Sequence, residues 1–347
     1  MINTSVTNTS ITDTPVLTIR NLSNSYTTRV NGLFGKKQLK PVLDNINLDI
    51  APGEIFGIVG ESGCGKTTLG RSVLGLIDYT GDISIDGLQQ SVIQHRKHRK
   101  RDLQQRREMA LKVQTVFQDP SSSLNPVKRA LWLLEEPLKI HGIGNKAQRQ
   151  TKVDAMLDMI GLDPSYKNRR VSELSGGQKQ RICIGAALML NPRLIVADEP
   201  ISSLDVSVGA QILNLFRDLH ERLHMALLFI SHNLDVVYYL CSRIAVMYQG
   251  QIVELGEAET IYSSPAHPYT RSLLEAIPHI GDTEPFAPQN RLASQSGIAS
   301  QGLVTASGCR FAPRCAYKQP LCTGTLPELV DTGGDTPHLV RCAMHGT

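Results

Sequence analysis

EIFGIVGESGCGKTTLGRSVLGLI, residues 54–77, decides how the chain reads. Its first seven residues are short and apolar, as in a strand buried on both faces. Its end, TTLGRSVLGLI, carries apolar residues at helical spacing. Between them Gly60-Glu61-Ser62-Gly63-Cys64-Gly65-Lys66-Thr67 matches G-x4-G-K-[ST]. Glycines let the backbone curl so that successive N–H groups point inward at phosphate oxygens. The following helix adds its N-terminal donors and the positive end of its dipole. In such a loop Lys66 reaches the β- and γ-phosphates, and the Thr67 hydroxyl binds Mg²⁺. A nucleotide site is therefore predicted on Gly60 to Thr68.

The rest of the chain supports an α/β reading. Apolar runs at 16–22, 42–50 and 81–87 precede or follow the opening strand, punctuated by Gly and Asp. From about 128 to 170 the pattern turns helical. The runs RLIVAD (193–198) and ALLFISH (226–232) each follow a helical pattern, which implies a parallel sheet with crossover helices. RIAVMYQGQIVELG (243–256) reads as a hairpin around Gln249-Gly250.

Composition bounds what this fold serves. The 347 residues are 41% apolar, enough for a sizeable core, and the net charge of +4 does not argue for nucleic acid. No run of about 18 apolar residues occurs, so no membrane-spanning segment is expected. The opening MINTSVTNTSITDTP lacks the basic and apolar regions of a signal peptide and reads as a disordered polar lead over 1–15. The basic run 94–108, including 95–107, reads as a solvated loop or helix face, with an acidic partner or lipid headgroups as the alternative. Residues 279–308 are rich in Pro, Gln, Ser and Gly and read as a linker to a cysteine-bearing segment, 309–347.

Hydrolysis needs a metal-holding acid and a group that activates water. In LIVADEP an apolar strand ends in Asp198 and Glu199. Neighbours on a strand face opposite sides, so Asp198 can hold hydrated Mg²⁺ while Glu199 polarises the water. Leu174-Ser175-Gly176-Gly177-Gln178 follows a simpler logic, with Ser175 capping a helix over QKQRICIGAALML. That helix start also makes a second anion cradle, which suits a nucleotide held by another chain.

Together these motifs resemble the ATP-binding-cassette ATPases over residues 16–278. The resemblance implies a P-loop fold with a RecA-like core, an antiparallel β subdomain, a helical signature subdomain at about 120–185, and here a small Cys-rich C-terminal extension. It implies that Tyr26 stacks on adenine and that Gln118, in VFQDP, senses Mg²⁺ and the membrane partner. Ser175, Gly176, Gly177 and Gln178 are then the signature, Asp205 of SSLD lies in the loop crossing a dimer interface, and His232 contacts the γ-phosphate. Two cassettes of this family sandwich two ATPs.

VFQDPSSSLNP, EPISSLDVSV and SSPAHPYTRSLLEAIP narrow the resemblance to ATPases of oligopeptide, dipeptide and nickel importers. HPYTRSLLEAIP is the most specific stretch, since it has no evident role in ATP chemistry. The resemblance implies a second cassette subunit, favouring a different chain, two permeases, a solute-binding protein and a place on the cytoplasmic face of a bacterial inner membrane. Peptides lead as cargo, followed by nickel or a metal chelate. The alternative of another class is a soluble cassette ATPase acting on ribosomes or DNA. Cys64 in the phosphate loop reads as a small filler residue, with sensitivity to thiol reagents as the alternative.

Cys309, Cys315, Cys322 and Cys342 remain. A reducing compartment disfavours disulfides, and no C-x2–4-C knuckle points to zinc. Four more widely spaced thiolates suit an iron–sulfur cluster. Some of the resembling ATPases carry a [4Fe–4S] cluster in such a tail, and Arg310, Arg314 and Arg341 would offset its charge. Zinc and metal-free thiols are the alternatives.

Overall fold

The computed structural model describes residues 14–29, 37–90, 99–276, 308–334 and 336–345. Most of the expected lead, part of the basic run and nearly all of the expected linker lie outside the described residues.

Strands β1 (Leu17–Arg29) and β2 (Lys37–Ile50) pair antiparallel. Strand β3 (Ile55–Val59) then runs into helix α1 (Lys66–Val73). Next come β4 (Thr80–Ile85), β5 (Leu88–Gln89), α2 (Arg99–Lys112) and β6 (Val113–Val116). A helical stretch follows, made of α3 (Pro120–Ser123), α4 (Ala130–Ile140), α5 (Lys146–Met159) and α6 (Gly176–Leu188). The chain returns to the sheet with β7 (Leu194–Asp198), α7 (Val206–Leu223), β8 (Ala226–Ser231) and α8 (Leu234–Leu240). It continues through β9 (Arg243–Tyr248), β10 (Gln251–Glu257), α9 (Ala258–Ser263) and α10 (Pro268–Glu275). The C-terminal part adds α11 (Leu321–Gly324), β11 (Val330–Asp331) and β12 (Leu339–Val340).

Two sheets result. One is antiparallel, in the order β2-β1-β4-β5. The other has eight strands, β11-β12-β10-β9-β3-β8-β7-β6, with β9-β3-β8-β7-β6 parallel. β3 lies inside it, and both its faces are covered. Ile55 and Val59 join the core shared with the helical stretch, while Phe56 and Ile58 join the core shared with the antiparallel sheet. That explains why the strand is uniformly apolar. Gly57 is required by close approach, because a Cβ there would come within 2.2 Å of Val237 Cγ1 on α8.

Local signals account for the element ends. Asn145 and Ser175 each form a reciprocal capping box with the glutamine three residues on. The β9–β10 hairpin turns on Gln249 and Gly250, both at positive φ (42° and 84°), the geometry of the tight turn expected from Gln-Gly. Among the described residues no helix is long and apolar enough to cross a membrane.

The cysteine-bearing tail is built onto the main sheet. β12 pairs antiparallel with β10, so the tail lengthens the main sheet. Phe311 is buried in the core that also holds Tyr248 and Tyr269. The reason is an open edge on β10 that the tail's two short strands cover.

Candidate active site

The phosphate loop leaves the C-terminal end of β3 and enters α1, the place where open α/β sheets bind ligands. Gly63 and Gly65 take φ of 81° and 111°, which a side chain would strain. A Cβ on Gly63 would meet nothing within 4 Å, so the loop is open there. Lys66 is buried, and its Nζ donates to the carbonyls of Gly60 (2.6 Å) and Glu61 (3.1 Å). No carboxylate lies within ion-pair distance of it among the described residues. A third partner is Cys64 Sγ at 3.9 Å, and a buried cation with only neutral partners suits an incoming anion.

At the end of β7 two acids part company. The Thr67 hydroxyl donates to Asp198 Oδ1 at 3.2 Å, joining the loop to the strand end. Burial pushes the Asp198 carboxyl above the usual range, opposed by the Thr67 bond and by Arg71 and Lys66. A carboxylate disfavoured by burial gains most from a cation beside it. Glu199 takes a left-handed φ of 48°, uncommon for a non-glycine and costing about 1 kcal/mol. Its N–H donates to Ile230 O (2.9 Å), which holds that geometry. The kink turns its side chain to meet two others. Gln118 Nε2 donates to Glu199 Oε2 at 3.2 Å, and His232 Nδ1 lies 3.3 Å from the same oxygen. Residues from three separate parts of the chain thus converge on one carboxylate. Such a carboxylate can accept a proton from water while its neighbours fix its orientation.

The remaining predicted residues stand apart from this group. Ser175 and Gln178 are engaged in their capping box, with Gln178 Nε2 donating to Tyr166 OH at 3.0 Å. A Cβ on Gly177 would approach Val208 Cγ1 to 2.6 Å, so the cradle packs on the start of α7. Asp205 caps α7, accepting from Val208 N (2.9 Å) and the Ser207 hydroxyl (2.8 Å), and these bonds hold its carboxyl below the usual range. Beside it Val206 is 92% exposed. Tyr26 is an exposed residue of β1 opposite Lys40. Among the described residues no hydrogen bond or ion pair joins the cradle, Asp205 or Tyr26 to the phosphate-loop group. Ser62 is exposed at the loop, and Cys64 is buried under it. Burial pushes the Cys64 thiol up, against the alternative of a reactive thiol.

The iron–sulfur expectation gains no support from the arrangement. Among the described residues no group of three or more His, Cys, Asp or Glu side chains is placed to hold a metal ion. Cys322 and Cys342 are buried, and burial raises the thiols of Cys309, Cys315 and Cys342. The three arginines are engaged elsewhere. Arg310 pairs with Asp44, Arg314 with Glu61, and Arg341 donates to the Ile252 and Pro327 carbonyls. The four thiols nonetheless lie within electrostatic reach of one another.

Sequence reasoning missed two residues at the loop. Tyr269 of the HPYT stretch receives a hydrogen bond from Glu61 N–H at 2.9 Å, and Arg314 forks onto the Glu61 carboxylate. The specificity of HPYT was the available signal, but nothing local linked it to the loop.

Comparison with known proteins follows this geometry. Residues 43–202 match the ABC transporter family, and residues 253–322 match the family described as the oligopeptide/dipeptide transporter C-terminal region. A putative peptide import ATP-binding protein of Brucella ovis is 46% identical over 320 residues, covering 92% of this chain and 95% of its own. The dipeptide transport ATP-binding protein DppF of Escherichia coli is 38% identical, covering 94% of each chain. Among solved structures, the ATP-binding cassette MJ0796 in a dimeric post-hydrolysis state bound to ADP and phosphate superposes with a TM-score of 0.60. It is 27% identical and covers 70% of this chain and 98% of its own.

Proposed function

The chain belongs to the ATP-binding subunits of ABC transporters, in the branch with the oligopeptide/dipeptide C-terminal region, and from that premise we propose that it hydrolyses ATP to drive import of di- or oligopeptides. The observation that carries the reading is the convergence of Gln118 and His232 on Glu199, one residue past the Thr67–Asp198 pair.

Mg²⁺-ATP supplies the phosphoryl group and the charge that draws the loop together. Lys66 exchanges the Gly60 and Glu61 carbonyls for phosphate oxygens, and the N–H groups of the loop and of α1 do the rest of the binding. Thr67, Asp198 and Gln118 are the residues that would hold Mg²⁺. Glu199 accepts the proton of the attacking water, and His232 steadies the carboxylate and the developing charge. Tyr26 offers its ring to the base. Ser175, Gly176, Gly177 and Gln178, unbonded to the chain's own loop among the described residues, serve the nucleotide of a second cassette, with Asp205 and exposed Val206 at the seam. The second cassette is a different chain, and the pair works beneath two permeases on the cytoplasmic face of the membrane, supplied by a solute-binding protein.

The test is a complex of the full chain with its permeases, partner cassette and solute-binding protein in proteoliposomes. Glu199→Gln is expected to lower ATP turnover by about 10²- to 10⁴-fold while ATP binding persists. Retained turnover refutes the assignment. Uptake of a labelled dipeptide supports the cargo, whereas uptake of nickel without peptide refutes it.

A further inference from the structure

The phosphate loop of this chain is held from outside by its own C-terminal segment. Glu61 has every polar group occupied. Its N–H donates to Tyr269 OH (2.9 Å). Its carbonyl accepts from Lys66 Nζ (3.1 Å) and Cys64 N–H (3.2 Å). Its two carboxylate oxygens receive Arg314 Nη1 and Nη2, both at 2.9 Å. A two-pronged pair of this kind fixes direction as well as distance.

Arg314 is itself seated. Its guanidinium lies 5.8 Å from the ring centroid of Tyr248 and 5.6 Å from that of Phe311. Phe311 is a buried knob, edge-on to Tyr248 at 5.3 Å and tilted against Tyr269 at 5.5 Å. The neighbouring Arg310 grips the far side of the loop. It donates to Asp44 Oδ2 (2.6 Å) and to the Gln249 carbonyl. Gly250 beside it donates its N–H to Cys64 O (2.7 Å) and accepts from Asp44 N–H (3.0 Å). Three tail residues within five positions therefore restrain the loop at Glu61 and, through Gly250, at Cys64.

We propose that Arg314, with Tyr269, is a positioning residue for nucleotide binding: the C-terminal segment holds the Glu61 peptide so that the loop is shaped for phosphate before nucleotide arrives. This rests on the ATPase reading above. Neither residue touches a reacting atom, and both sit behind the loop rather than in it. Restraining Glu61 fixes the start of the turn, so the later loop amides need less ordering when phosphate arrives. The effect falls on affinity, because the loop must otherwise be ordered at the expense of binding. The Arg314–Glu61 pair is about 40% exposed on each side, so the effect is moderate.

The experiment uses the full chain. Binding of a fluorescent trinitrophenyl-ATP and of Mg²⁺-ATP is titrated, and KM and kcat are taken in the assembled transporter. Arg314→Gln is expected to raise Kd and KM about three- to tenfold with kcat changed less than about twofold. Arg314→Lys, which keeps charge but loses the fork, falls between. Tyr269→Phe, which keeps the ring, raises KM in the same direction. Adding Glu61→Gln to Arg314→Gln adds little, since the two side chains act as one unit. Unchanged affinity in Arg314→Gln overturns the proposal. So does a parallel fall in kcat and melting temperature without a rise in KM, which would mark a structural contact only. Lys66→Ala separates the two readings. If wild type binds ATP, Lys66→Ala does not and Arg314→Gln matches wild type, this proposal alone fails. If wild type does not bind ATP, the ATPase reading fails and takes this one with it.

Discussion

Replacing His338 with Ala should loosen the C-terminal segment from the sheet edge and leave the core intact. Glu254 on β10 is fully buried, and three donors serve it: Ala266 N–H at 2.7 Å, His267 N–H at 2.9 Å and His338 Nε2 at 2.8 Å. Burial alone would push its carboxyl up, but His338, the Thr270 hydroxyl and the two backbone amides outweigh it and hold it below the usual carboxylate range. Taking one donor from a buried carboxylate costs about 1–3 kcal/mol, and more where nothing else serves the charge. Two backbone donors remain here, so about 2 kcal/mol is expected. His338 adjoins β12, whose Val340 and Leu339 pair with Glu254 and Leu255. The loss therefore falls on opening of the tail rather than on global unfolding. At 1.36 kcal/mol per decade, amide exchange over 336–345 should quicken about 30-fold, with β8 as the internal control. Acceleration below about threefold in the tail refutes the reasoning, and so does equal acceleration in β8.

Acid should loosen the same region through His267. The side chain is buried, and burial lowers its pKa to about 4, while Glu254 opposes that shift. The unfolded chain binds a proton from about pH 6.5 downward and the folded chain only near 4, so stability falls across that window by about 3 kcal/mol. His267→Asn, which keeps an acceptor for Tyr269 N–H, should flatten the slope of stability against pH; an unchanged slope refutes the assignment. Gly57→Ala should cost about 1–3 kcal/mol, because its Cβ would stand 2.2 Å from Val237 Cγ1 and 3.0 Å from Cys241 Sγ, and an unchanged melting temperature would contradict this. Alkylation of the native chain followed by mass spectrometry should modify half-buried Cys315 at least about tenfold faster than Cys64, with equal rates counting against the burial argument.

What could be read from the sequence was what the chain encodes over short distances. The strand, loop and helix at 54–77, the Ser175 cap and the Gln249-Gly250 turn each depend on neighbours within a few residues, and each formed as expected. The pairing of Asp198 with Thr67 spans 131 residues; motifs single out each residue, but not their hydrogen bond. The Arg314–Glu61 fork spans 253 residues, and one partner sits in a segment that carries no nucleotide motif. Nothing local distinguishes Arg314 from the other two arginines of the tail. Its role is set by β12 joining β10, by Phe311 packing against both Tyr248 and Tyr269, and by the hairpin turn that brings Gly250 beneath Cys64. Distance along the chain bears on the cysteine reading too. Spacing suggested four thiolates awaiting a metal, whereas folding spends the flanking arginines on the phosphate loop and the sheet edge. The segment that looked farthest from ATP chemistry is therefore packed directly behind the loop predicted to bind it.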